Sequence, residues 1–316
     1  MRILILGGTG STGRALISDL HGRGEFFDIT VTSRSACELP GAKVLRGHYA
    51  QLVASASFKG HLASIDVIVH LADGLADLQS RALHKDTRLA DKLIAGSRDV
   101  AIAARDARVP RFIHVSSIKA ICGEDDGRVL TETATPAPTS LYGESKLRLE
   151  QTLHQVFEKS ATRLVILRNP AMYAPDKTGS IHRLLTLADT PWPLPLGGLR
   201  NKRSLLAVRN FASALASVVR AGGATPTGVF HVHDRLPLST TELVTILRSA
   251  LGRPVRLYPV GPAVRLACHL PVLGRLTRRL YGSLEISDAR FRQGFGWCPV
   301  IETRDGLAEV ARRRAR

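Results

Sequence analysis

Residues 1–13 read MRILILGGTGSTG, and this stretch decides the fold. The apolar residues up to Leu6 predict a buried strand, and residues 14–20 predict the helix that follows it. Between them, Gly7, Gly10 and Gly13 are three residues apart, which lets the backbone turn tightly and approach a pyrophosphate at the helix N-terminus. The usual dinucleotide fingerprint is GxGxxG and this loop is GxxGxxG, so the prediction depends on its position between a strand and a helix.

With 316 residues, the chain is long enough to bury a large core in one or two domains. Its 44% hydrophobic and 22% charged residues are ordinary for a soluble globular protein. The apolar start is too short to span a membrane and runs into the glycines, so we expect a buried strand rather than a signal peptide. The four cysteines lie far apart and no histidines cluster at metal spacing, which predicts no disulfide framework, no metal site and a reducing, cytoplasmic compartment.

The formal net charge of +17 favours acidic partners: nucleotide diphosphates, anionic lipid or nucleic acid. Part of that charge lies in residues 312–316, which we expect to form a solvated tail. No nucleic-acid-reading motif accompanies it and aromatic residues make up 5% of the chain, so we expect no nucleic-acid partner. Residues 263–281 mix arginines with leucines and valines and contain no acid. Such a stretch can make a peripheral membrane contact or form a substrate-domain helix pair with its leucines in the core, and we favour the second.

Apolar runs alternate with helical patterns in the first half of the chain, as in a parallel α/β sheet. Further strands are predicted at residues 29–32, 43–46, 66–72, 111–117 and 163–168, and a helix at residues 87–107. The sequence therefore predicts an α/β fold, with a doubly wound parallel Rossmann sheet and a smaller C-terminal substrate-binding domain. We place the dinucleotide-binding domain at 1–169 and the mainly substrate-binding domain, which can return strands to the sheet, at 170–316. Residues 191–198 look like a loop.

The end of the second predicted strand bears on the choice of cofactor. An acid about 20 residues after the glycine loop would bind the ribose 2′-hydroxyl of NAD. This chain has Ser33 and Arg34 there, with no acid until Glu38, and a guanidinium suits a 2′-phosphate. We therefore expect NADP(H) to be preferred, with NAD(H) as the alternative. A plain surface arginine is the other interpretation of Arg34.

Tyr142 and Lys146 are four residues apart, so they share one face of a helix. A free tyrosine, with a pKa near ~10, is a poor acid or base at neutral pH, and a nearby ammonium favours its phenolate. A hydroxyl from Ser117 would complete the site by hydrogen-bonding a substrate oxygen. A YxxxK pair also arises by chance on helices, but here it follows a glycine loop and a strand that ends in Ser-Ser. That combination favours hydride and proton transfer at a carbinol or carbonyl.

These residues resemble the extended short-chain dehydrogenase/reductase family, also described as the NAD-dependent epimerase/dehydratase family. Within it they are similar to a bacterial polysaccharide branch of UDP-sugar 4-epimerases and 4-ketoreductases. The resemblance covers nearly the whole chain and includes residues 70–72, 116–119, 168–175, 201–205, 282–287 and 295–299.

The resemblance implies roles for individual residues. The implied cofactor-binding residues are Gly7, Gly10, Ser11, Thr12, Gly13, Ser33, Arg34, Leu71, Ala72, Lys146 and Pro170. The implied catalytic residues are Tyr142, Lys146 and Ser117, and the implied substrate-binding residues are Ser117, Asn169, Arg203 and Arg279. The two arginines match those that bind the substrate diphosphate, and a solvent-exposed arginine is the alternative for each. A homodimer is left open.

Three positions depart from the family pattern. Gly47-His48-Tyr49 stands where the family often has Gly-Asp-Leu, whose acid contacts adenine. Leu93 lies near the place of an active-site asparagine. The segment that begins at Ser117 looks one residue longer than usual, and chemistry favours Ser117 over Ile118 as the active-site hydroxyl.

We therefore expect NADP-dependent reduction of a UDP-4-keto-hexose, N-acetylated, at C4 in polysaccharide precursor synthesis. A UDP-sugar 4-epimerase with tightly bound NAD is the nearest alternative. A non-catalytic dinucleotide-binding sensor is the third, and the intact Tyr142 and Lys146 argue against it.

Overall fold

Seven parallel strands form the central sheet of the computed structural model, which describes residues 1–22, 24–80, 82–122, 127–176, 179–222, 225–259 and 280–314. Together with three two-stranded sheets, the described residues contain the strands β1 (Arg2–Leu6), β2 (Asp28–Ser33), β3 (Lys43–Arg46), β4 (Val67–His70), β5 (Arg111–Ser117), β6 (Val129–Leu130), β7 (Arg163–Asn169), β8 (Ala171–Tyr173), β9 (Leu194–Gly197), β10 (Leu205–Ala207), β11 (Gly228–His231), β12 (Leu257–Pro259) and β13 (Glu285–Ile286).

Helices cover both faces of this sheet. In the described part of the chain, the α-helices are α1 (Ser11–His21), α2 (Tyr49–Leu52), α3 (Ala56–Leu62), α4 (Thr87–Asp106), α5 (Leu141–Phe157), α6 (Ser180–Ala188), α7 (Val208–Arg220), α8 (Thr240–Ala250), α9 (Ala289–Phe295) and α10 (Thr303–Arg314). Two 3₁₀ turns, Leu75–Gln79 and Ile118–Ala120, follow β4 and β5. The predicted doubly wound α/β fold is confirmed.

The strand order is β11-β7-β5-β4-β1-β2-β3, and every neighbouring pair is parallel. The order in which strands are added to the sheet reverses at β1, which pairs with β2 on one side and β4 on the other. In open α/β sheets, ligands bind in the crevice outside the carboxyl ends of the strands at such a switch point. The glycine loop after β1 and the segment after β4 both lie at this crevice.

Alternate residues of β1 belong to different cores, as expected for a strand buried on both faces. Ile3 and Ile5 pack with α1 and α7, whereas Leu4 and Leu6 pack with α4 and α5. β4 and β5 are buried at every residue. The predicted bounds of β3 and β5 match the structure, while β4 ends at His70 rather than residue 72.

The later part of the chain contributes to the central sheet and also forms a second apolar core. β11 extends the central sheet beside β7, and α7 packs on α1. A separate apolar core lies between α6, α8 and α10. Residues 194–197, expected in a loop, form β9 beside β12, because Leu194 and Leu196 are buried while Pro195 stays exposed. No helix in the described residues has both the length and the apolar character needed to cross a membrane. Most of the basic stretch 263–281 lies outside the described residues.

Candidate active site

The glycine loop fits closely against the segment that follows β4. Gly7 has a φ of +82°, and a Cβ added to it would lie 2.2 Å from the Cβ of Ala72. A Cβ on Gly13 would lie 2.4 Å from the carbonyl oxygen of Gly8, so α1 starts directly against the loop. Gly10 precedes α1 without a side-chain cap. The loop therefore offers backbone N–H groups at the helix start, as a pyrophosphate requires.

Several of the predicted cofactor residues line this end of the sheet. Ser11 and Thr12 are the first two residues of α1 and are half-buried. The Leu71 N–H donates to the carbonyl of Leu6 at 3.1 Å, which holds the segment after β4 beside β1. Ala72 closes the contact with Gly7. The glycines let the loop, the start of α1 and the segment after β4 pack closely together, an arrangement that fits a bound dinucleotide.

At the end of β2, polar and basic residues lie near the position expected for the adenosine. Ser33 is buried, and its hydroxyl donates to the carbonyl of Ser35 at 2.8 Å, whereas Arg34 is exposed. His48 caps α2 and stacks on Tyr49 with ring centres 4.4 Å apart. Burial lowers the pKa of His48, and the positive charges of Arg34 and Lys92 lower it further. His48 and Lys92 thus join Arg34 at this end of the cleft, a grouping of two loops and α4 that the sequence analysis missed.

Asn169 and Pro170 end the neighbouring strand β7. Asn169 stands opposite Ser117 in the register of β5 and β7 and is buried. Its Nδ2 donates to the carbonyl of Pro170 at 3.1 Å. Its Oδ1 is buried without a hydrogen-bond partner in the part of the chain that the structure describes. Buried acceptors are normally paired, so this oxygen fits a donor from a bound molecule.

Helix α5 carries Tyr142 and Lys146 to the same edge of the sheet. Ser140 caps the helix by accepting from the N–H of Gly143 at 3.2 Å. A Cβ on Gly143 would lie 2.3 Å from the carbonyl oxygen of Lys119, so this glycine lets α5 approach the turn that follows Ser117. The Lys146 Nζ lies 5.9 Å from the centre of the Tyr142 ring. The structure thus brings the predicted pair together beside the residues that follow Ser117.

A buried carboxylate that the sequence analysis missed contacts the lysine directly. The Lys146 Nζ donates to Asp73 Oδ2 at 2.5 Å and to the carbonyl of Val115 at 3.0 Å. Burial is the largest single influence and would lower the pKa of Lys146, but the charge and hydrogen bond of Asp73, with smaller contributions from Tyr142 and Glu150, together raise it. An acid directly after a buried strand, at the carboxyl edge of a parallel sheet, was the signal available in the sequence.

The two serines at the end of β5 have different partners. Ser116 Oγ donates to Glu150, which forms a buried ion pair with Arg168 at 2.5 Å. Ser117 Oγ accepts from the Lys119 N–H at 3.3 Å. Ile118 is buried in a small apolar cluster. Of these three residues, Ser117 therefore has the hydroxyl best suited to donate a hydrogen bond to a ligand.

Two neutral histidines lie behind the lysine. The Nδ1 atoms of His70 and His114 are 3.1 Å apart, so one ring donates to the other. Burial lowers the pKa of His70 to about 4 and that of His114 well below its ordinary value. His114 Nε2 lies 3.9 Å from Asp73 Oδ2, and Tyr49 packs edge-on against His70. These rings give the ion pair a buried and largely uncharged wall.

Of the two arginines predicted to bind the substrate, the structure describes Arg203. Arg203 Nη1 donates to the carbonyl of Gly282 at 3.0 Å, and its backbone bridges to Leu238 and Leu284. Leu284 packs against the cluster that contains Ile118, which ties the Arg203 segment to the strand end at Ser117. Arg279 lies outside the described residues.

Comparison with known proteins places this cleft in a family. The model of the NAD dependent epimerase/dehydratase family matches residues 3–232. The chain belongs to this family. It is therefore an NAD(P)-dependent enzyme, and the predicted family and enzyme class are confirmed.

Relatives of both chemical types cover almost the whole enzyme. It is 28% identical to a UDP-glucose 4-epimerase of Vibrio cholerae over 98% of this chain and 94% of the relative. It is 26% identical to 4-hydroxy-2-methyl-3-oxo-4-farnesyl-3,4-dihydroquinoline-1-oxide ketoreductase of Stigmatella aurantiaca, over 97% and 95% of the two chains. The structure of UDP-N-acetylglucosamine 4-epimerase from Bacillus cereus superposes with a TM-score of 0.75 at 16% identity, over 98% of each chain. That last likeness shows the fold.

Proposed function

We propose that this enzyme uses NADPH to reduce the 4-keto group of an N-acetylated UDP-4-keto-hexose. The observation that carries the proposal is the Tyr142–Lys146 pair, placed beside Ser117 at the carboxyl edge of a dinucleotide-type sheet. Relatives that are named for UDP-glucose support the nucleotide-sugar part of the proposal. A relative that is a ketoreductase supports the reductive direction.

The loop after β1 and the segment after β4 would hold the dinucleotide. Gly7, Gly10 and Gly13 let its pyrophosphate approach the start of α1, and Ser11 and Thr12 offer N–H groups there. Lys146 would bind the ribose hydroxyls through the N–H that Asp73 and Val115 do not use. When bound, the nicotinamide supplies the hydride that the reaction consumes.

The protein side chains handle the proton. Tyr142 would donate its phenolic proton to the oxygen at C4, and the Lys146 ammonium would stabilise the phenolate that forms. Ser117 would donate a hydrogen bond to the same oxygen, which favours the charge that develops there. Asn169 Oδ1, which is buried and unpaired among the described residues, would accept from a sugar hydroxyl or amide.

The adenosine end supports NADPH over NADH. Arg34, His48 and Lys92 lie close enough that the charges of two of them act on the third. The acid that would bind a free ribose 2′-hydroxyl and repel a 2′-phosphate is missing from the end of β2, where Ser33 and Arg34 stand. The guanidinium of Arg34 would form a charge-assisted hydrogen bond with the phosphate.

The substrate diphosphate needs cations, because burying it unpaired would be costly. Arg203 and Arg279 are the proposed partners. Replacing Arg203 with Ala should raise the KM for the UDP-sugar more than it changes NADPH affinity. Arg200→Ala removes an exposed arginine three positions away and serves as the control. A protein that does not bind UDP in calorimetry at millimolar concentration would oppose the nucleotide-sugar proposal.

A turnover screen tests the proposal. UDP-4-keto sugars are offered with NADPH and with NADH, and the loss of reduced cofactor is followed by absorbance. In a separate measurement, the purified protein is denatured and the released nucleotide is assayed. We expect NADPH to be consumed in proportion to the keto sugar, by a protein that purifies largely free of cofactor. NADH used as well as NADPH would remove the cofactor preference from the proposal.

A UDP-sugar 4-epimerase is the second candidate, and the Vibrio cholerae relative favours it. An epimerase returns its hydride within one turnover and therefore retains its NAD. Tightly bound NAD, with interconversion of two UDP-hexoses and no loss of NADPH, would establish the epimerase. A protein that binds dinucleotide but turns over no UDP-sugar would favour the sensor.

A further inference from the structure

Asp73 is a buried carboxylate that is held at both of its oxygens. It follows β4 at the carboxyl edge of the sheet, and its residue is 4% exposed. Oδ1 accepts from the N–H of Leu75 at 3.0 Å, where the 3₁₀ turn begins. Oδ2 accepts from the Lys146 Nζ at 2.5 Å. The carboxylate is thus fixed by the backbone and forms a rigid anchor for the ammonium.

This anchor changes what Lys146 does to Tyr142. A lone ammonium about 6 Å from the phenol ring would stabilise the phenolate and favour loss of its proton. A carboxylate in contact with that ammonium opposes the effect, because the two charges largely cancel at a distance. Lys146 also retains a third N–H donor beyond those given to Asp73 and Val115, so it still can bind a ligand hydroxyl.

We propose that Asp73 is a positioning residue that fixes the Lys146 ammonium and cancels much of its charge, so that Tyr142 keeps its proton until a keto group arrives. A ketone reduction starts from a protonated acid, whereas an alcohol oxidation starts from a base. Asp73 therefore tunes the pair for reduction. This inference rests on the proposed function.

The other charged and titratable groups around the pair do not replace Asp73. They are His70 on β4, His114 on β5, Lys119 on the 3₁₀ turn, Glu150 on α5, Arg168 on β7, and the Asp91–Arg148 pair between α4 and α5. The two histidines are neutral at neutral pH, because burial keeps their pKa values low. Glu150 is paired with Arg168, and the Asp91–Arg148 pair is exposed. In the described part of the chain, Asp73 is the carboxylate that contacts Lys146.

The test compares Asp73→Asn with Asp77→Asn in the full-length enzyme. Asp73→Asn keeps the shape and an acceptor for the Leu75 N–H, and Asp77→Asn removes a charge from an exposed side chain of the same turn. The pH profiles of keto-sugar reduction and of the reverse oxidation are measured for both. We expect Asp73→Asn to move the acid limb of the oxidation about one pH unit lower and to leave the protein folded. Asp77→Asn should move neither profile.

A second variant separates charge from structure. Asp73→Glu keeps the negative charge and should keep the native pH profile, even where the longer side chain lowers kcat. Loss of the native profile in Asp73→Glu, or an unchanged profile in Asp73→Asn, would overturn the proposal.

A measurement without substrate distinguishes this inference from the proposed function. The lysine side chains are labelled with ¹³C at Cε and titrated by NMR, and the Lys146 signal is assigned by its loss in Lys146→Arg. We expect Asp73→Asn to lower the pKa of Lys146, with Asp77→Asn unchanged. That result, together with no turnover of any UDP-sugar, would reject the proposed function and keep the link between Asp73 and Lys146. A Lys146 titration that is identical in Asp73→Asn would overturn the inference, whatever the substrate is.

Discussion

The two ends of the cofactor cleft are built differently. At the catalytic end, Lys146, Asp73 and Ser117 are buried, and each has fixed hydrogen-bond partners. At the adenosine end, Arg34 and Lys92 are exposed, and their positive charges lower the pKa of the partly buried His48. Proton transfer requires groups that are already in place, whereas a phosphate can be bound by long side chains that adjust to it.

The contrast sets the kind of effect that a change should have at each end. Buried, paired groups cost much when one partner is removed, because the other is left uncompensated. Exposed cations contribute less and are screened by salt. Changes to the buried ion pair at the catalytic end should therefore alter rate and folding, whereas changes at the adenosine end should alter affinity alone.

Tyr142→Phe should break the catalytic end most strongly. The ring remains and the proton is lost, so turnover should fall by ~10²–10⁴-fold while cofactor affinity and the unfolding midpoint stay near those of the native enzyme. Steady-state kinetics, fluorescence titration with the cofactor and thermal melting measure the three quantities. Full activity in Tyr142→Phe on the identified substrate would exclude this tyrosine as the acid.

Removing Lys146 should show how much the stability of the catalytic end depends on its ion pair with Asp73. Lys146→Met leaves the Asp73 carboxylate buried and unpaired, which should lower the free energy of unfolding by roughly 3–5 kcal/mol in urea denaturation. The double change Asp73→Asn with Lys146→Met removes both charges and should recover most of that loss. If the double variant were no more stable than Lys146→Met, the ion pair would not be the source of the coupling.

The buried pair of His70 and His114 should make the stability of the enzyme sensitive to acid. Burial depresses the pKa of His70 to about 4 from its ordinary 6.5, so the unfolded chain takes up a proton first as the pH falls. The stability that this histidine contributes is present above pH 6.5 and is lost as the pH falls towards about 4, at about 1.4 kcal/mol per pH unit. His70→Asn should remove that part of the slope in urea denaturation between these pH values.

The exposed His154 supplies the control for this measurement. His154→Asn should leave the pH dependence of unfolding as it is in the native enzyme. An unchanged slope in His70→Asn would show that the buried pair of histidines does not govern acid stability.

The smallest effect is expected at the adenosine end. Arg34→Ala should reduce the preference for NADPH over NADH by roughly tenfold and leave NADH affinity unchanged, since the guanidinium gains a contact only from the phosphate. The preference in the native enzyme should also weaken in high salt. Arg98→Ala on α4 is the matched control, and equal losses for both cofactors in Arg34→Ala would contradict the assignment.

The same contrast explains what the sequence could predict. β3 and β5 were predicted at their observed bounds, and α4 within one residue of them, because apolar periodicity and the residues that start and end each element determine such bounds. The Tyr142–Lys146 pair was predictable because residues four apart on a helix share a face. Roles of the individual site residues remain predictions.

Contacts between distant segments were not predictable. Asp73 and Lys146 are 73 residues apart, and no local spacing joins them. Lys92 reaches the adenosine end from α4, and His48 reaches it from the loop after β3. β9 was missed because its pairing with β12 depends on a partner some 60 residues away and its own sequence contains Pro195.

Hydride transfer to carbon is the central claim, and isotope labelling tests it most directly. The enzyme is incubated with NADPH that carries deuterium at the transferable position of the nicotinamide, together with a UDP-4-keto-hexose, and the sugar product is examined by NMR and mass spectrometry. The account predicts one deuterium at C4 for each NADPH oxidised, and loss of that product in Tyr142→Phe. A sugar product without deuterium, or two UDP-hexoses interconverted by retained NAD with no NADPH consumed, would contradict it.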